Sequence, residues 1–484
     1  MTIDTVELRV TERDWRKLRD HLFPGDHDEH GAVLLCGVAQ SGGNVRLLVR
    51  DVELARDGIE YVAGTRGYRL LTGEFVTRMI RRAKDERLNY LAVHNHGGTT
   101  SVSFSRPDLS SHERGYPTLL QVSGQVVGGL VISDEAVAGD IWLLDGTRQP
   151  LTRTSIIGSR LEVLASQPTR SAQTASTRYD RQSLMFGDAG QAILGGSKVS
   201  VVGAGGVGML IVQALARLGV GNLVVIDPDR IDPTNLPRLP EATRLDAMEL
   251  FERKGVPQWF RGWASRYATP KIRLAHRIAK RANRRINIET IMGDVADDQV
   301  ARRITDSDFI FLAADTLLAR SVVNQIAHQY LIPTLQVGSK PVIQSSTGKI
   351  LDVFAVVRTL GTSPGCLLCG ELIDPVRLSE ESLGNPEQVK RQRYVDDPDV
   401  HAPSVITLNE MAVGWATNDF MQYMVGIGRP SSGFRILRTR PVSENAPHIT
   451  VQEREEIPSC YVCGADSLSV RSRGDGRELP TRTH

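Results

Sequence analysis

Cysteine is scarce in this chain, with five in 484 residues, and that excludes a disulfide scaffold. No apolar run approaches the roughly 18 residues of a membrane-spanning helix. The opening Met1-Thr2-Ile3-Asp4 has neither a basic region nor an apolar core. No secretory signal is read there, and the expected location is the cytoplasm. The formal net charge is only +2, which gives no electrostatic mandate for nucleic acid or a membrane surface as partner. There is no internal repeat. What is present is ordinary for a globular protein: 41% hydrophobic and 24% charged residues. The length alone predicts two or three domains.

The overall reading is α/β. Residues 5–150 alternate short apolar runs with polar turns and at least one helix, at about 68–86, which suits an α+β domain over 1–160. Residues 166–178 are small and polar, and a linker is drawn over 161–178. From residue 179 the pattern becomes helix, strand, glycine-rich turn, helix, strand. That alternation predicts a doubly wound parallel sheet over 179–470. Residues 471–484 are polar and charged and read as a disordered tail.

The most informative stretch is His94-Asn95-His96, followed by Ser105 and Asp108. Asn89-Tyr90-Leu91-Ala92-Val93 before it reads as a short strand. Side chains at i and i+2 of an extended segment leave on the same side. Asp108, twelve positions beyond His96, can fold back to complete a three-ligand set. Two imidazoles and a carboxylate with one open position form the layout of a catalytic zinc site. Glu29, at the start of the apolar run Gly31-Ala32-Val33-Leu34-Leu35-Cys36-Gly37, is the expected general base. Ser105 is the expected donor to an oxyanion on the attacked carbonyl. The bland reading, two surface histidines beside a loop, weakens once Ser-x-x-Asp and the upstream Glu are counted with them.

A second constellation begins at the strand Ser197-Lys198-Val199-Ser200-Val201-Val202. Gly203-Ala204-Gly205-Gly206-Val207-Gly208 follows, then a helical pattern through Leu218 and the strand Leu223-Val224-Val225-Ile226-Asp227. Gly203, Gly205, Gly206 and Gly208 let the backbone turn and approach phosphate, and the helix start supplies N–H groups. Asp227 is placed to bind a ribose hydroxyl. The pattern indicates an adenine nucleotide without saying which. Arg238 and Lys271 together suit a triphosphate. Asp315, ending the strand Phe309-Ile310-Phe311-Leu312-Ala313-Ala314-Asp315, suits Mg²⁺. Taken singly, Arg238 and Lys271 read as surface charges.

Cys366-Leu-Leu-Cys369 and Cys460-Tyr-Val-Cys463 are paired knuckles, each presenting two thiolates. Four thiolates close a tetrahedral structural zinc site. A redox Cys-x-x-Cys is the alternative, and two pairs with glycine after each second cysteine argue against it. Cys36, the fifth, is expected to be a buried small hydrophobe.

The set Glu29, His94-x-His96, Ser105-x-x-Asp108 resembles the JAB/MPN (JAMM) metalloprotease motif. The resemblance implies cleavage at the C-terminus of a ubiquitin-like protein, with His94, His96 and Asp108 on zinc, Glu29 as base and Ser105 as oxyanion donor. The chain departs from that motif at two points. Eight residues, 97–104, separate His96 from Ser105 where seven are usual, and Gly97 stands where proline is common. Both changes fall in a loop.

Residues 179–465 resemble the ThiF/MoeB/ubiquitin-activating superfamily. The matching features are the Tyr179-Asp180-Arg181-Gln182 opening, the glycine loop and Asp227-x-Asp229 followed by Asn235-Leu-x-Arg238. Pro270-Lys271-Ile272-Arg273, Ala314-Asp315 with Arg320, and the cysteine knuckles complete the set. The resemblance implies adenylation of the C-terminal glycine of a ubiquitin-like protein with Mg·ATP. Asp229, Asn235, Arg238, Lys271 and Asp315 would contact ATP or the acyl-adenylate. Arg181 would reach the site of the other protomer of a homodimer. Residues 239–270 are longer than the family's usual link from Arg to Lys, and that insertion is read as a partner-specific surface. Ubiquitin-activating enzymes keep a cysteine between the knuckles as thioester acceptor, and this chain has none between 370 and 459. Adenylation without a thioester is therefore expected, with transfer to a thiol or amine of another protein. His401, in the crossover segment Tyr394-Val395-Asp396-Asp397-Pro398-Asp399-Val400-His401, reads as a loop residue.

The expected protein is thus a fusion with two centres in a bacterial ubiquitin-like or sulfur-carrier pathway. Its cofactors are ATP, Mg²⁺ and two Zn²⁺, one catalytic and one structural. Its expected partners are a ubiquitin-like or sulfur-carrier protein ending in glycine and a cysteine-bearing conjugating enzyme or sulfur donor. Two rivals stand beside it: a first domain that only docks the ubiquitin-like protein, and a dinucleotide-dependent oxidoreductase, against which Arg238, Lys271 and the knuckles argue.

Overall fold

The computed structural model describes residues 3–63, 69–167, 177–251, 265–343, 350–362, 365–382, 404–428, 433–440, 448–452 and 455–482, with isolated positions between them. They divide into two units. The first comprises Met1–Ala172, Gln329–Leu331 and Val470–Glu478. The second comprises Gln173–His328, Ile332–Ser469 and Leu479–His484.

The first unit is built on strands β1 (Thr5–Thr11), β2 (Gly31–Ser41), β3 (Asn44–Leu54), β4 (Tyr61–Ala63), β5 (Arg69–Leu71), β6 (Asn89–Asn95), β7 (Val127–Ile132), β8 (Val137–Trp142), β9 (Arg148–Pro150), β10 (Arg153–Ile157) and β11 (Leu161–Leu164). Nine of them form a mixed sheet in the order β11-β10-β1-β3-β2-β6-β7-β8-β9, and β4 pairs β5 separately. Alternate residues of β2 serve different cores, because successive strand side chains point to opposite faces. Ala32, Leu34 and Cys36 join Trp15, Leu18 and Leu22 of helix α1 (Glu12–Leu22). Val33 and Leu35 join Phe75, Met79 and Ile80 of helix α2 (Gly73–Glu86). A strand buried on both faces reads as a continuous apolar run. Cys36 is fully buried there, and burial drives its thiol pKa far upward.

Three boundaries differ from the sequence expectation. The helix expected from about residue 68 starts at Gly73, because the Thr72 side chain accepts from the Phe75 amide as N-cap and Arg69–Leu71 is already strand β5. The linker drawn from residue 161 begins with a strand, since β11 pairs with β10 from Thr154↔Leu164 to Ile157↔Leu161; residues 168–176 lie outside the described residues. The tail at 471–484 is largely ordered. The Asp475 amide donates to Val38 O at 2.7 Å, Arg50 Nη1 donates to Arg471 O at 2.6 Å, and Arg473 bonds Glu86 through O and Oε2 at 2.8 and 3.1 Å. Polar composition misled here because the arginines are buried against partners distant in sequence.

The second unit has strands β12 (Lys198–Val202), β13 (Asn222–Ile226), β14 (Asn287–Ile291), β15 (Phe309–Leu312), β16 (Thr334–Ile343), β17 (Ile350–Leu360), β18 (Phe434–Arg440) and β19 (His448–Gln452). Their order is β14-β13-β12-β15-β16-β17-β18-β19. The first five run parallel, and the last three extend the sheet antiparallel. This is a mixed α/β unit with a Rossmann-like sheet. Strand order reverses between β12 and β15, the switch point at which such sheets bind ligands beyond their carboxyl ends. Helices α3 (Arg106–Ser123) in the first unit and α4 (Asp180–Gly196), α5 (Gly206–Leu218), α6 (Lys271–Ala282), α7 (Leu317–Gln329), α8 (Pro375–Ser382) and α9 (Ile406–Met424) complete the long helices. The Tyr179-Asp180-Arg181-Gln182 opening anchors α5: Gln182 and Gln191 both donate Nε2 to Leu218 O, at 2.9 and 3.1 Å, satisfying a terminal carbonyl. Among the described residues, no helix is long and apolar enough to cross a membrane.

Candidate active sites and a cysteine cluster

In the first unit, His94 is the penultimate residue of β6, between Gly31 of β2 and Val131 of β7, in the middle of the sheet. Tyr90, Leu91 and Val93 are buried and fix the strand. The Nε2 atoms of His94 and His96 face one another at 3.2 Å. His96 Nδ1 lies 3.1 Å from Ser103 O. That nitrogen donates to the carbonyl, which leaves the Nε2 lone pair directed at the cluster. Ser105 is the N-cap of α3 and Asp108 the third helical residue, a reciprocal capping box that fixes the carboxylate. Asp108 Oδ2 stands 3.7 Å from His94 Nε2 and 3.5 Å from His96 Nε2. Burial raises the Asp108 pKa, but the adjacent His94 ring and the hydrogen bonds from Ser105 hold it well below the usual carboxylate range. A tetrahedral ion with bonds of about 2.0–2.2 Å sets its ligand atoms roughly 3.3–3.6 Å apart. The three separations of this trio, 3.2, 3.5 and 3.7 Å, bracket that spacing.

Glu29 Oε1 is 3.9 Å from His96 Nε2. Burial raises the Glu29 pKa, although His94 opposes the shift. Ser105 differs from its expected role. Its hydroxyl donates to Asp108 Oδ2 at 2.6 Å, and the Asp108 amide returns a bond to Ser105 Oγ at 3.3 Å. Helix capping thus claims the side chain assigned to the oxyanion. Sequence reasoning passed over the buried His112, whose Nδ1 lies 2.7 Å from Asp140 Oδ2. Its ring meets Phe104 edge-on at 5.0 Å. The available signal was its position four residues after Asp108, on the same face of α3.

In the second unit, the glycine loop is held from two sides. Gly203 has φ +95°, and a Cβ there would sit 2.8 Å from the Ala314 amide nitrogen beyond β15. Only glycine accepts that conformation and approach together. A Cβ on Gly206 would meet Asn409 Nδ2 at 2.6 Å and Arg238 Cβ at 3.4 Å. The loop therefore lies beside both the Arg238 segment and the strand end leading to Asp315.

Asp227 departs from the expected ribose contact. It is 5% exposed, and its Oδ2 accepts the Ala204 amide at 2.6 Å while Oδ1 accepts the Asp229 amide at 2.8 Å. Burial raises its pKa, and Lys271 opposes that. The carboxylate is turned inward to brace the glycine loop. Asp229 is the exposed acid, and Lys271 Nζ reaches its Oδ2 at 2.7 Å and Asp227 Oδ1 at 3.8 Å. Asn235 is buried and accepts the Asp232 amide at 3.2 Å, a capping contact. Arg238 Nη1 donates to Thr234 O at 2.9 Å. Asp315 is exposed just after β15. Arg181 is exposed at the start of α4. His401 lies outside the described residues, as do residues 252–255, 258, 260–262 and 264 of the 239–270 segment read as an insertion.

The four knuckle cysteines converge. Cys366 Sγ lies 3.8 Å from both Cys369 and Cys460 Sγ, and Cys369 lies 3.5 Å from Cys463 Sγ. Tetrahedral zinc with bonds of about 2.3 Å sets sulfur atoms roughly 3.8 Å apart. Both turns are built alike: the Gly370 amide donates to Cys366 O and the Gly464 amide to Cys460 O, each at 2.9 Å. The glycine after each second cysteine supplies that turn.

Comparison with known proteins gives a consistent result for the second unit. The ThiF family model matches residues 179–457. The chain is similar to the SAMP-activating enzyme E1 of Haloferax volcanii, 28% identical over 41% of this chain and 69% of that protein. It is similar to the sulfur carrier protein ThiS adenylyltransferase of Bacillus subtilis, 28% identical over 33% of this chain and 42% of that protein. It is also similar to the molybdopterin-synthase adenylyltransferase of Haemophilus influenzae, 29% identical over 33% of this chain and 58% of that protein. In the last two, the match spans about half of the relative's length.

Proposed function

The chain belongs to the ThiF family over residues 179–457, and from that premise we propose that its second unit adenylates the C-terminal glycine of a ubiquitin-like or sulfur-carrier protein. The reading draws on the adenylyltransferases and the activating enzyme to which the chain is similar. In the reaction a carboxylate oxygen attacks the α-phosphorus of ATP and pyrophosphate departs. The α5 N-terminus offers backbone N–H groups and its dipole to the phosphates. Lys271 and Arg238 supply fixed positive charge where negative charge develops. Asp229 is the acid exposed for the ribose, in place of the inward-turned Asp227. Asp315 is an oxygen ligand for Mg²⁺, which neutralises phosphate charge when bound. The observation that carries this reading is the bridge from the Ala204 amide through Asp227 to Lys271, which ties loop and cation into one site.

Four cysteines lie in the cluster and Cys36 is buried in β2. None of the five is left to take the acyl group as a thioester. The acyl-adenylate therefore passes to a thiol or amine on a second protein, and Arg181 acts across a homodimer. The cysteine cluster holds structural zinc.

For the first unit we infer a peptidase of the JAB/MPN type acting on the same tail. His94, His96 and Asp108 would hold zinc, which when bound supplies a Lewis acid and a water of pKa about 7. Glu29 would accept a proton from that water and return it to the departing amine. Two activities on one tail benefit from being in one polypeptide, because local concentration is raised. A second reading, a docking module without hydrolysis, draws on the commitment of Ser105 to Asp108. Pyrophosphate exchange with glycine-ending ubiquitin-like proteins tests the adenylation reading of the second unit. Zinc content together with cleavage of a ubiquitin-like fusion separates the two readings of the first unit.

A further inference from the structure

We propose that Asn95, the middle residue of the His-Asn-His triplet, is a positioning residue for Glu29; the proposal rests on the peptidase reading of the first unit. Strand alternation turns Asn95 away from the side on which His94 and His96 leave. Its Oδ1 accepts the His30 amide at 2.6 Å, and its own amide donates to His30 O at 3.3 Å. The backbone ladder between β2 and β6 reaches Gly31↔His94. One step further, the Asn95 side chain supplies the acceptor that no strand carbonyl provides. The bond closes a ring between the residue adjoining Glu29 and the residue between the two imidazoles.

The neighbours of Glu29 are held on their other sides as well. His30 is 3% exposed, and its Nε2 lies 2.9 Å from Asp26 Oδ1. The Gly31 amide donates to Tyr61 Oη at 2.9 Å. The Glu29 carboxylate is 3.9 Å from His96 Nε2, beyond hydrogen-bond reach of the ring. The carboxylate itself takes a hydrogen bond from the Arg69 backbone, and Asn95 ties the backbone that carries Glu29 to the strand that carries the imidazoles.

The test uses the full chain and three variants. Asn95→Ala removes the acceptor. Asn95→Asp keeps a carboxylate oxygen at the same reach. Glu29→Gln provides the background. In Asn95→Ala the cluster ligands are intact, so zinc content stays at the wild-type level. Cleavage of a ubiquitin-like fusion falls by about 10- to 100-fold in kcat, the scale of a misplaced catalytic group. Asn95→Asp recovers most of the loss. In the Glu29→Gln background, Asn95→Ala causes no further loss. Independently of activity, amide exchange measured by mass spectrometry over residues 28–35 accelerates in Asn95→Ala and returns toward wild type in Asn95→Asp. Unchanged exchange in Asn95→Ala overturns the proposal, as does an equal loss of activity with and without the Glu29 carboxylate. A wild-type protein that cleaves no fusion overturns the peptidase reading instead, while the exchange measurement still decides whether Asn95 holds this backbone.

Discussion

Asp227 and Ala204 are joined across 23 residues by one short bond: Oδ2 of the buried carboxylate accepts the loop amide at 2.6 Å. The other oxygen accepts the Asp229 amide at 2.8 Å. Asparagine has one acceptor and one donor at these positions, so it cannot serve both amides. Asp227→Asn is expected to lose about 2 kcal/mol of charge-assisted hydrogen bonding. Pyrophosphate exchange should fall by about 10- to 100-fold, with KM for ATP rising most. An unchanged KM would mean that the loop does not depend on this brace.

The cysteine cluster makes a countable prediction. Wild-type protein should carry two zinc ions per chain by elemental analysis. Cys366→Ser should carry one and melt at a lower temperature, because structural zinc contributes folding energy directly. His96→Ala should also carry one but melt close to wild type. A single ion that survives both substitutions contradicts the assignment of two sites.

The C-terminal segment Val470–Glu478 is part of the first unit. A Cβ on Gly37 would overlap Ser472 O, whereas a Cβ on Gly42, at a β-turn, meets nothing within 4 Å. Gly37→Ala should displace the segment and speed exchange over residues 470–478. Truncation after Ser469 should release buried Arg50 from its bond to Arg471 O and lower the thermal midpoint of the first unit. An unaltered midpoint would show that the segment rests on the unit without stabilising it.

What the sequence revealed depended on range. The strand–glycine loop–helix run from Lys198 to Leu218 was legible because each signal is local: an apolar strand, glycines, then helical periodicity. The convergence of His94, His96 and Asp108 was legible because strand alternation and a capping box are short-range rules. The inward turn of Asp227 was not, since its choice between a ribose and the Ala204 amide is settled by packing at 5% exposure. Ser105 carried two meanings, oxyanion donor and N-cap, and Ser-x-x-Asp spells both. The ordered segment after Val470 was hidden because its partners Val38, Arg50 and Glu86 lie several hundred positions away.

The segment around Asp246 offers a pH prediction. Arg277 bonds Asp246 through both nitrogens, at 3.1 and 2.8 Å, and the Thr243 amide and hydroxyl add bonds at 2.9 and 2.7 Å. Burial raises the Asp246 pKa, but these donors hold it well below the ordinary value. A carboxylate depressed in the folded state stabilises above its unfolded pKa of about 3.9, and that contribution fades as pH falls through the folded value. Asp246→Asn should speed exchange over residues 241–250 at neutral pH and flatten its acid dependence. Equal exchange in wild type and variant at pH 7 would contradict the anchoring role.

The central claim, two independent centres on one chain, is tested most directly by measuring pyrophosphate exchange and fusion cleavage on the same preparations of Asp315→Ala and Glu29→Ala. Asp315→Ala should abolish exchange and leave cleavage intact, and Glu29→Ala should do the reverse. Loss of exchange in both variants, or cleavage untouched by Glu29→Ala, would contradict it.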